Sequence, residues 1–251
     1  MTLPFQHFVQ PCLQPTLGEG GLSSDAYAQL LADAAPAVQR IRGDMAAGDL
    51  PCFGLANRRD DLDALVPLAD RIRGGFRHCV VLGTGGSSLG AQALLALAAP
   101  ADRDRLILPD NLDGREFAAM LAALDPETTY VLAVSRSGGT TETLAQTLVI
   151  LDWFHRHLGP AAVPGHMTAI TCPGDNPLRR LAGTHAIQVL DHDPNIGGRF
   201  SVLSLVGLLP AMIAGLDAQA VRKGAAQLFE SLLTDTAAPP VAGAAIAVGL
   251  A

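Results

Sequence analysis

Five short apolar bursts dominate the middle of this chain. They are His78-Cys-Val-Val-Leu-Gly83, Arg105-Leu-Ile-Leu-Pro109, Thr129-Tyr-Val-Leu-Ala-Val-Ser135, Met167-Thr-Ala-Ile-Thr171 and Ala186-Ile-Gln-Val-Leu190, with helical patterns between most of them. Uninterrupted apolar strands alternating with helices predict an α/β fold, a three-layer αβα sandwich around a five-stranded parallel sheet covered on both faces. Such sheets take ligands at the carboxyl ends of their strands, which directs attention to the residues after Leu82, Leu108, Val134 and Ile170. Composition agrees: 49% hydrophobic and 16% charged residues over 251 positions suit a large buried core and exclude disorder.

Helical segments flank the sheet region. Ser23 to Ala47 reads as a capped amphipathic helix, with Tyr27, Leu30, Leu31, Ala34, Val38 and Ile41 on its apolar stripe. Asp60 to Ile72 reads as a second helix and Ala91 to Ala99 as a third. The uncharged, apolar part of Phe200 to Leu216 is shorter than a membrane span and contains Pro210, so it reads as a buried core helix. Pro239-Pro240 starts a last apolar helix that reaches Ala251 without a closing cap, the pattern of a longer protein cut at this point. The expected division is an N-terminal extension and helix over 1–52, a sheet domain over 53–216 and a helical connection over 217–251.

The proline-bearing start (Pro4, Pro11, Pro15) lacks the features of a secretory signal. Cys12, Cys52, Cys79 and Cys172 have no CxxC spacing, and the last two lie in apolar runs expected to bury their thiols. These features predict a cytoplasmic protein without a membrane partner. A net charge of −7 argues against nucleic acid, but a local site on an acidic protein can still hold a phosphate. The histidines show no metal spacing. His155 and His157 are expected at a wet helix end, and His192-Asp193 is a weak candidate for chemistry. Neither a metal nor a cofactor is expected.

Two loops suit an anion. Gly83-Thr-Gly-Gly-Ser-Ser-Leu-Gly90 follows the first strand, where glycines let the backbone turn tightly and expose N–H groups at a helix N-terminus. It has Ser88 at the third position of GxGxxG and lacks the lysine of a P-loop. Ser135-Arg-Ser-Gly-Gly-Thr-Thr-Glu-Thr143 follows the third strand and gathers the hydroxyls of Ser135, Ser137, Thr140 and Thr141 with Gly138 and Gly139. Hydroxyls and backbone N–H groups together can surround a phosphate without a lysine, and Glu142 is placed to favour the helix dipole or complete a capping box. A third element, Asn195-Ile-Gly-Gly-Arg-Phe-Ser201, sets Arg199 before the long apolar segment.

In order and spacing over about Phe53 to Gly215 these motifs resemble the glucose-6-phosphate isomerase family. The first loop is similar to its glycine-serine loop, and Ser135 to Thr143 to its Ser-Lys-Ser/Thr loop with Arg136 in place of Lys. Asn111-Leu-Asp113 resembles its Asn-Val-Asp element, and Asn195 to Ser204 its Val-Gly-Gly-Arg-Tyr-Ser signature. The resemblance implies a pair of sugar isomerase (SIS) domains, of which this chain holds the first and a helical connection toward the second. It implies that Gly86 and Ser87 touch the sugar phosphate. Ser135, Arg136, Ser137 and Thr140, with Gly138 and Gly139, would hold the phosphate, and Arg199 would stabilise the enediolate.

The implied activity is the aldose–ketose interconversion of glucose 6-phosphate and fructose 6-phosphate in glycolysis and gluconeogenesis, by a protein that is a homodimer at full length. The family's catalytic base is a Glu in a Glu-x-x-Gly-Lys-like segment, and no such segment follows Arg199, where the only acids are Asp217, Glu230 and Asp235. The isolated chain is therefore expected to bind sugar phosphate without turning it over. Two other readings stand beside this one. One is a stand-alone sugar-phosphate-binding or regulatory SIS domain, and the other a dinucleotide-dependent oxidoreductase using Asp110 as ribose acceptor.

Overall fold

Three of the apolar bursts become strands buried along nearly their whole length. β1 (His78–Leu82), β3 (Thr129–Val134) and β4 (Met167–Thr171) are buried throughout except at His78, as expected for aliphatic runs covered on both faces. The two edge strands are shorter than or displaced from the expected bursts. β2 is Leu106–Ile107, pairing with β1 only through Cys79↔Leu106 and Val80↔Ile107. Pro109, without an N–H, cannot extend that ladder. β5 is Gln188–Asp191, because Ala186 closes the preceding turn at φ +52°. The computed structural model describes residues 5–251, so Pro4 lies outside the described residues.

All four ladders are parallel, in the order β2-β1-β3-β4-β5. β1 and β3 pair over five residues although β2 lies between them in sequence. This order has its topological switch point between β1 and β3, where the connections leave toward opposite faces and open a crevice.

The sheet belongs to a compact unit running from Arg58 to Gln219. Its longer helices are α1 (Val66–Gly75), α2 (Gly86–Leu95), α3 (Gly114–Ala123), α4 (Thr141–His157), α5 (Pro177–Thr184) and α6 (Leu205–Ile213). One core joins Val80, Leu82, Val131 and Ala133 of the sheet to Phe117 of α3, Ile150 and Phe154 of α4, and Leu178 of α5. The alternate strand residues Cys79, Val81, Tyr130, Leu132 and Ile170 are buried as well, while α6 packs on α1 and α2.

Three helical expectations change. Asp60 to Ile72 is two helices, Asp60–Asp63 and α1, because Pro67 near the start of α1 offers no N–H to continue the first. The helix after the first glycine loop begins at Gly86 and ends at Leu95, earlier than its apolar pattern suggests. Of the run from Phe200 to Leu216, only Leu205–Ile213 is α-helical, started by Ser204, whose hydroxyl accepts from the Val206 N–H at 3.3 Å.

The second unit comprises the residues up to Asn57 together with Ala220–Ala251. Helix Ser24–Ala47, capped as expected, opens with the Ser23 hydroxyl accepting from the Ala26 N–H at 3.1 Å, where the sequence offers Ser23, Ser24 and Asp25 as possible caps. It packs on helix Pro239–Gly249 around Val38, Leu232, Ala238 and Val241, and the Phe53 and Phe229 rings lie 4.7 Å apart. Among the described residues no single helix is long and apolar enough to cross a membrane. Ala218–Thr234 and Pro239–Gly249 reach that test only together, across a 73° bend.

Candidate functional site

The loops after β1 and β3 face one cavity of about 530 Å³, at the carboxyl edge of the sheet where the strand order reverses. Thr84, Gly86 and Ser87 line it from the first loop, and Arg136, Ser137 and Thr140 from the second. The volume lies within the range of small-molecule sites.

The first loop turns at Gly85 (φ +54°) and becomes helix within one residue. Ser87 N–H donates to the Thr84 carbonyl at 3.1 Å and Ser88 N–H to that of Gly85 at 3.0 Å. The N–H groups of Gly85 and Gly86 carry no hydrogen bond among the described residues. These are the orphan donors of a helix start.

The second loop uses the Gly138 N–H internally, on the Ser135 carbonyl at 3.0 Å, but leaves the N–H groups at the start of α4 similarly open. Thr140 stands at the N-cap of α4 with extended backbone but makes no capping bond. Its hydroxyl is turned to Ser135, Oγ to Oγ1 2.9 Å. A cap is worth about 1 kcal/mol, and forgoing it keeps the first-turn N–H groups available to an anion. Glu142 does not complete a capping box. Ser135 is buried behind the cavity wall, touching it through Thr140, while Ser137 accepts from the Gly139 N–H at 3.2 Å.

Gly138 is fixed by its surroundings. It adopts φ +66°, and a β-carbon there would lie 1.8 Å from Asn176 Oδ1. Asn176 belongs to a third wall that the sequence pattern located only as the stretch after Ile170: Cys172, Pro173, Asp175 and Asn176. Its Oδ1 accepts from Arg179 N–H at 2.9 Å and its Nδ2 donates to the Cys172 carbonyl at 3.1 Å. The Asn-Pro pair at 176–177 is a helix-start signature that could have flagged this wall. Arg179 supports it from behind, donating to the Thr171 and Cys172 carbonyls and pairing with Asp191. Cys172, expected buried, is partly exposed at this wall, whereas Cys79 is buried and its thiol pushed up by desolvation.

The arginine segment completes the arrangement. Gly198 lines the cavity and packs against Gly86 so closely that a β-carbon on Gly86 would lie 2.3 Å from the Gly198 carbonyl carbon. Ser201, buried, donates to the Gly86 carbonyl at 3.1 Å and to that of Gly198 at 2.7 Å. At the other end of the segment Arg136 Nη2 donates to the Pro194 carbonyl at 2.8 Å. Arg199 lies in the exposed 3-10 turn Gly198–Phe200, outside the cavity lining, with no hydrogen bond or ion pair among the described residues.

His192, at the end of β5, is buried with Nδ1 2.7 Å from the Asp193 carbonyl. Burial, and to a lesser degree the Arg136 charge, hold its ring below the usual histidine range. His155 is not at a wet end: it is half-buried, its ring 5.2 Å from that of His185. Among the described residues no three His, Cys, Asp or Glu side chains are grouped to hold a metal.

Comparison with known proteins shows the family. Residues 70–245 match the family described as phosphoglucose isomerase. The chain belongs to that family. It is 36% identical over 238 residues to a glucose-6-phosphate isomerase of Rubrobacter xylanophilus, covering 91% of this chain and 54% of that protein. Against a glucose-6-phosphate isomerase of Thermus thermophilus it is 40% identical over 154 residues, 61% of this chain and 37% of the other. The solved structure of a hypothetical protein from Thermus thermophilus superposes with a TM-score of 0.76 at 32% identity, over 88% of this chain and 54% of that one. A glucose-6-phosphate isomerase from Chlamydia trachomatis gives 0.64 at 26% identity, over 75% of this chain and 37% of that one. The chain thus spans about half the length of the phosphoglucose isomerase relatives it matches.

Proposed function

We propose that the chain is the sugar-phosphate-binding half of a glucose-6-phosphate isomerase. One observation carries this: in a chain of the phosphoglucose isomerase family, two helix starts with open N–H groups and a cluster of hydroxyls meet at one cavity. Gly86 and Ser87 would contact the sugar phosphate. Arg136, Ser137, Gly138, Gly139 and Thr140 would hold the phosphate, and Ser135 would act directly or by orienting the Thr140 hydroxyl. A phosphate so placed gains charge-assisted bonds from the open N–H groups at the two helix starts, with hydroxyl-bearing residues of the second loop lining the same cavity.

The chemistry moves a proton between C2 and C1 through an enediolate, which asks for a base and a fixed cation. Arg199 is the proposed cation. It is free of other partners among the described residues, and the segment bearing it starts and ends on the two loops. No Glu-x-x-Gly-Lys segment follows it within the 251 residues, so the base is assigned to a second half that the relatives' length allows for. On the same reading, residues 53–216 are the SIS-type domain and 217–251 the connection onward. The full-length protein is a cytoplasmic homodimer.

The test is a calorimetric titration of the 251-residue protein with 6-phosphogluconate. Ser135→Ala combined with Thr140→Ala removes the hydroxyl pair and is expected to weaken binding by about tenfold or more, each hydrogen bond to a charged group being worth about 1.5–3 kcal/mol. Unchanged affinity refutes the phosphate-loop assignment. The same protein is expected to show no conversion of fructose 6-phosphate to glucose 6-phosphate. Turnover that Arg199→Ala abolishes would place the whole reaction in this half.

A further inference from the structure

Among the described residues the Arg199 side chain makes no hydrogen bond or ion pair. Its place depends on the backbone from Asp193 to Ser201, a short strap that closes on itself. Asn195 N–H donates to Asp193 Oδ1 at 2.9 Å, Ile196 N–H to the Asp193 carbonyl at 3.1 Å and Phe200 N–H to that of Gly197 at 2.9 Å. Such local turns fix the shape of the strap more than its position. Position comes from Gly198 packed on Gly86, from the buried Ile196 and from two attachments at the ends, Ser201 on the Gly86 carbonyl and Pro194 on Arg136. The second attachment differs in kind, because Arg136 also lines the cavity.

A guanidinium has five donors in one rigid plane, and Arg136 spends one Nη2–H on Pro194. The remaining donors can meet an oxyanion while that bond stays in place. An ammonium, a single point charge on a flexible stem, has no such fork. We propose that Arg136 is a positioning residue whose guanidinium bridges a bound phosphate and the Pro194 carbonyl, so that filling the cavity fixes the strap that carries Arg199. The inference rests on the phosphate-loop reading above and adds to it a link between ligand occupancy and the reacting cation. Before the phosphate arrives, that end of the strap is held by buried His192, whose Nδ1 lies 2.7 Å from the Asp193 carbonyl, and beyond it by the exposed Arg136 bond to Pro194. Afterwards the donor is anchored on both sides.

The experiment is amide hydrogen exchange over residues 195–201 in the 251-residue protein, with and without saturating 6-phosphogluconate, in wild type and Arg136→Lys. Arg136 is exposed, so the substitution leaves the fold intact, checked by an unchanged melting temperature. Occupancy is matched by calorimetry. In wild type the ligand is expected to slow exchange in the strap by about tenfold, and in Arg136→Lys by less than about threefold at equal occupancy. A purely structural role would loosen the strap equally with and without ligand, leaving the ratio as in wild type; that result overturns the proposal. So does ligand binding to wild type without slowing. Failure of wild type to bind at all sinks the phosphate-loop reading together with this one.

Discussion

Gly86→Ala tests the junction between the first loop and the arginine segment. The added β-carbon would sit 2.3 Å from the Gly198 carbonyl carbon and 2.4 Å from its oxygen. Carbon atoms in ordinary contact are about 3.5–4.0 Å apart, so one backbone must retreat by more than about 1 Å. Overpacking of this kind costs about 1–3 kcal/mol, against about 0.5–1 kcal/mol regained from alanine's better helix propensity. The net loss of about 1–2 kcal/mol corresponds to a fall in melting temperature of about 3–6 °C for a unit of this size. The effect on binding is expected to be larger than the effect on stability, because Gly198 is itself cavity wall. We expect 6-phosphogluconate affinity to drop by about tenfold or more, since misplacement by about 1 Å is enough to cost a site about a hundredfold. Calorimetric titration and a thermal scan of the same preparation read both quantities. Gly114→Ala is the control: it also starts a helix, but its β-carbon meets nothing within 4 Å, and it should keep or raise the melting temperature. A Gly86→Ala protein with wild-type affinity and melting temperature would refute the close packing of the two segments.

Two further outcomes follow from the same site. Gly138→Ala must adopt a positive φ and push Asn176 off its cap, and is expected to destabilise by about 2–4 kcal/mol by denaturant unfolding. A loss under about 0.5 kcal/mol would show that the Asn176 wall is not packed on this loop. His192 is held neutral in the folded state below the histidine range, while the unfolded chain takes up a proton near about pH 6.5. Its contribution to stability is therefore present above that pH and lost as pH falls. The denaturant midpoint should fall between about pH 7.5 and 5.5 and fall less in His192→Gln, with His78, also shifted down, common to both. Equal slopes in the two proteins would contradict the assignment.

The legible part of the fold was the part that burial dictates. β1, β3 and β4 are covered on both faces, so their sequences are unbroken aliphatic runs. The edges were harder, because β2 and β5 are half-exposed and their ends depend on a proline and on the turn at Ala186. The glycines and hydroxyls at helix starts picked out the two loops that line one cavity. What spacing could not convey is direction. Ser135 faces Thr140, Arg199 lies outside the cavity lining, and Arg136 reaches across to Pro194. The start of α2 at Gly86 was hidden for a related reason. Glycine is a poor helix former, and its presence there answers to a neighbour more than a hundred residues away, the Gly198 backbone.

The order of the strands has a consequence for when the cavity can exist. Its two loops belong to β1 and β3, neighbours in the sheet separated in the chain by α2, β2 and α3. The loops meet only after that intervening stretch has been set aside at the edge, a contact that costs loop-closure entropy before it is repaid. A partly folded chain therefore offers at most half a site. A phosphate ester bound as proposed would act as a clasp on this distant pairing, adding about 2.7 kcal/mol to the folded state at a hundred times its dissociation constant.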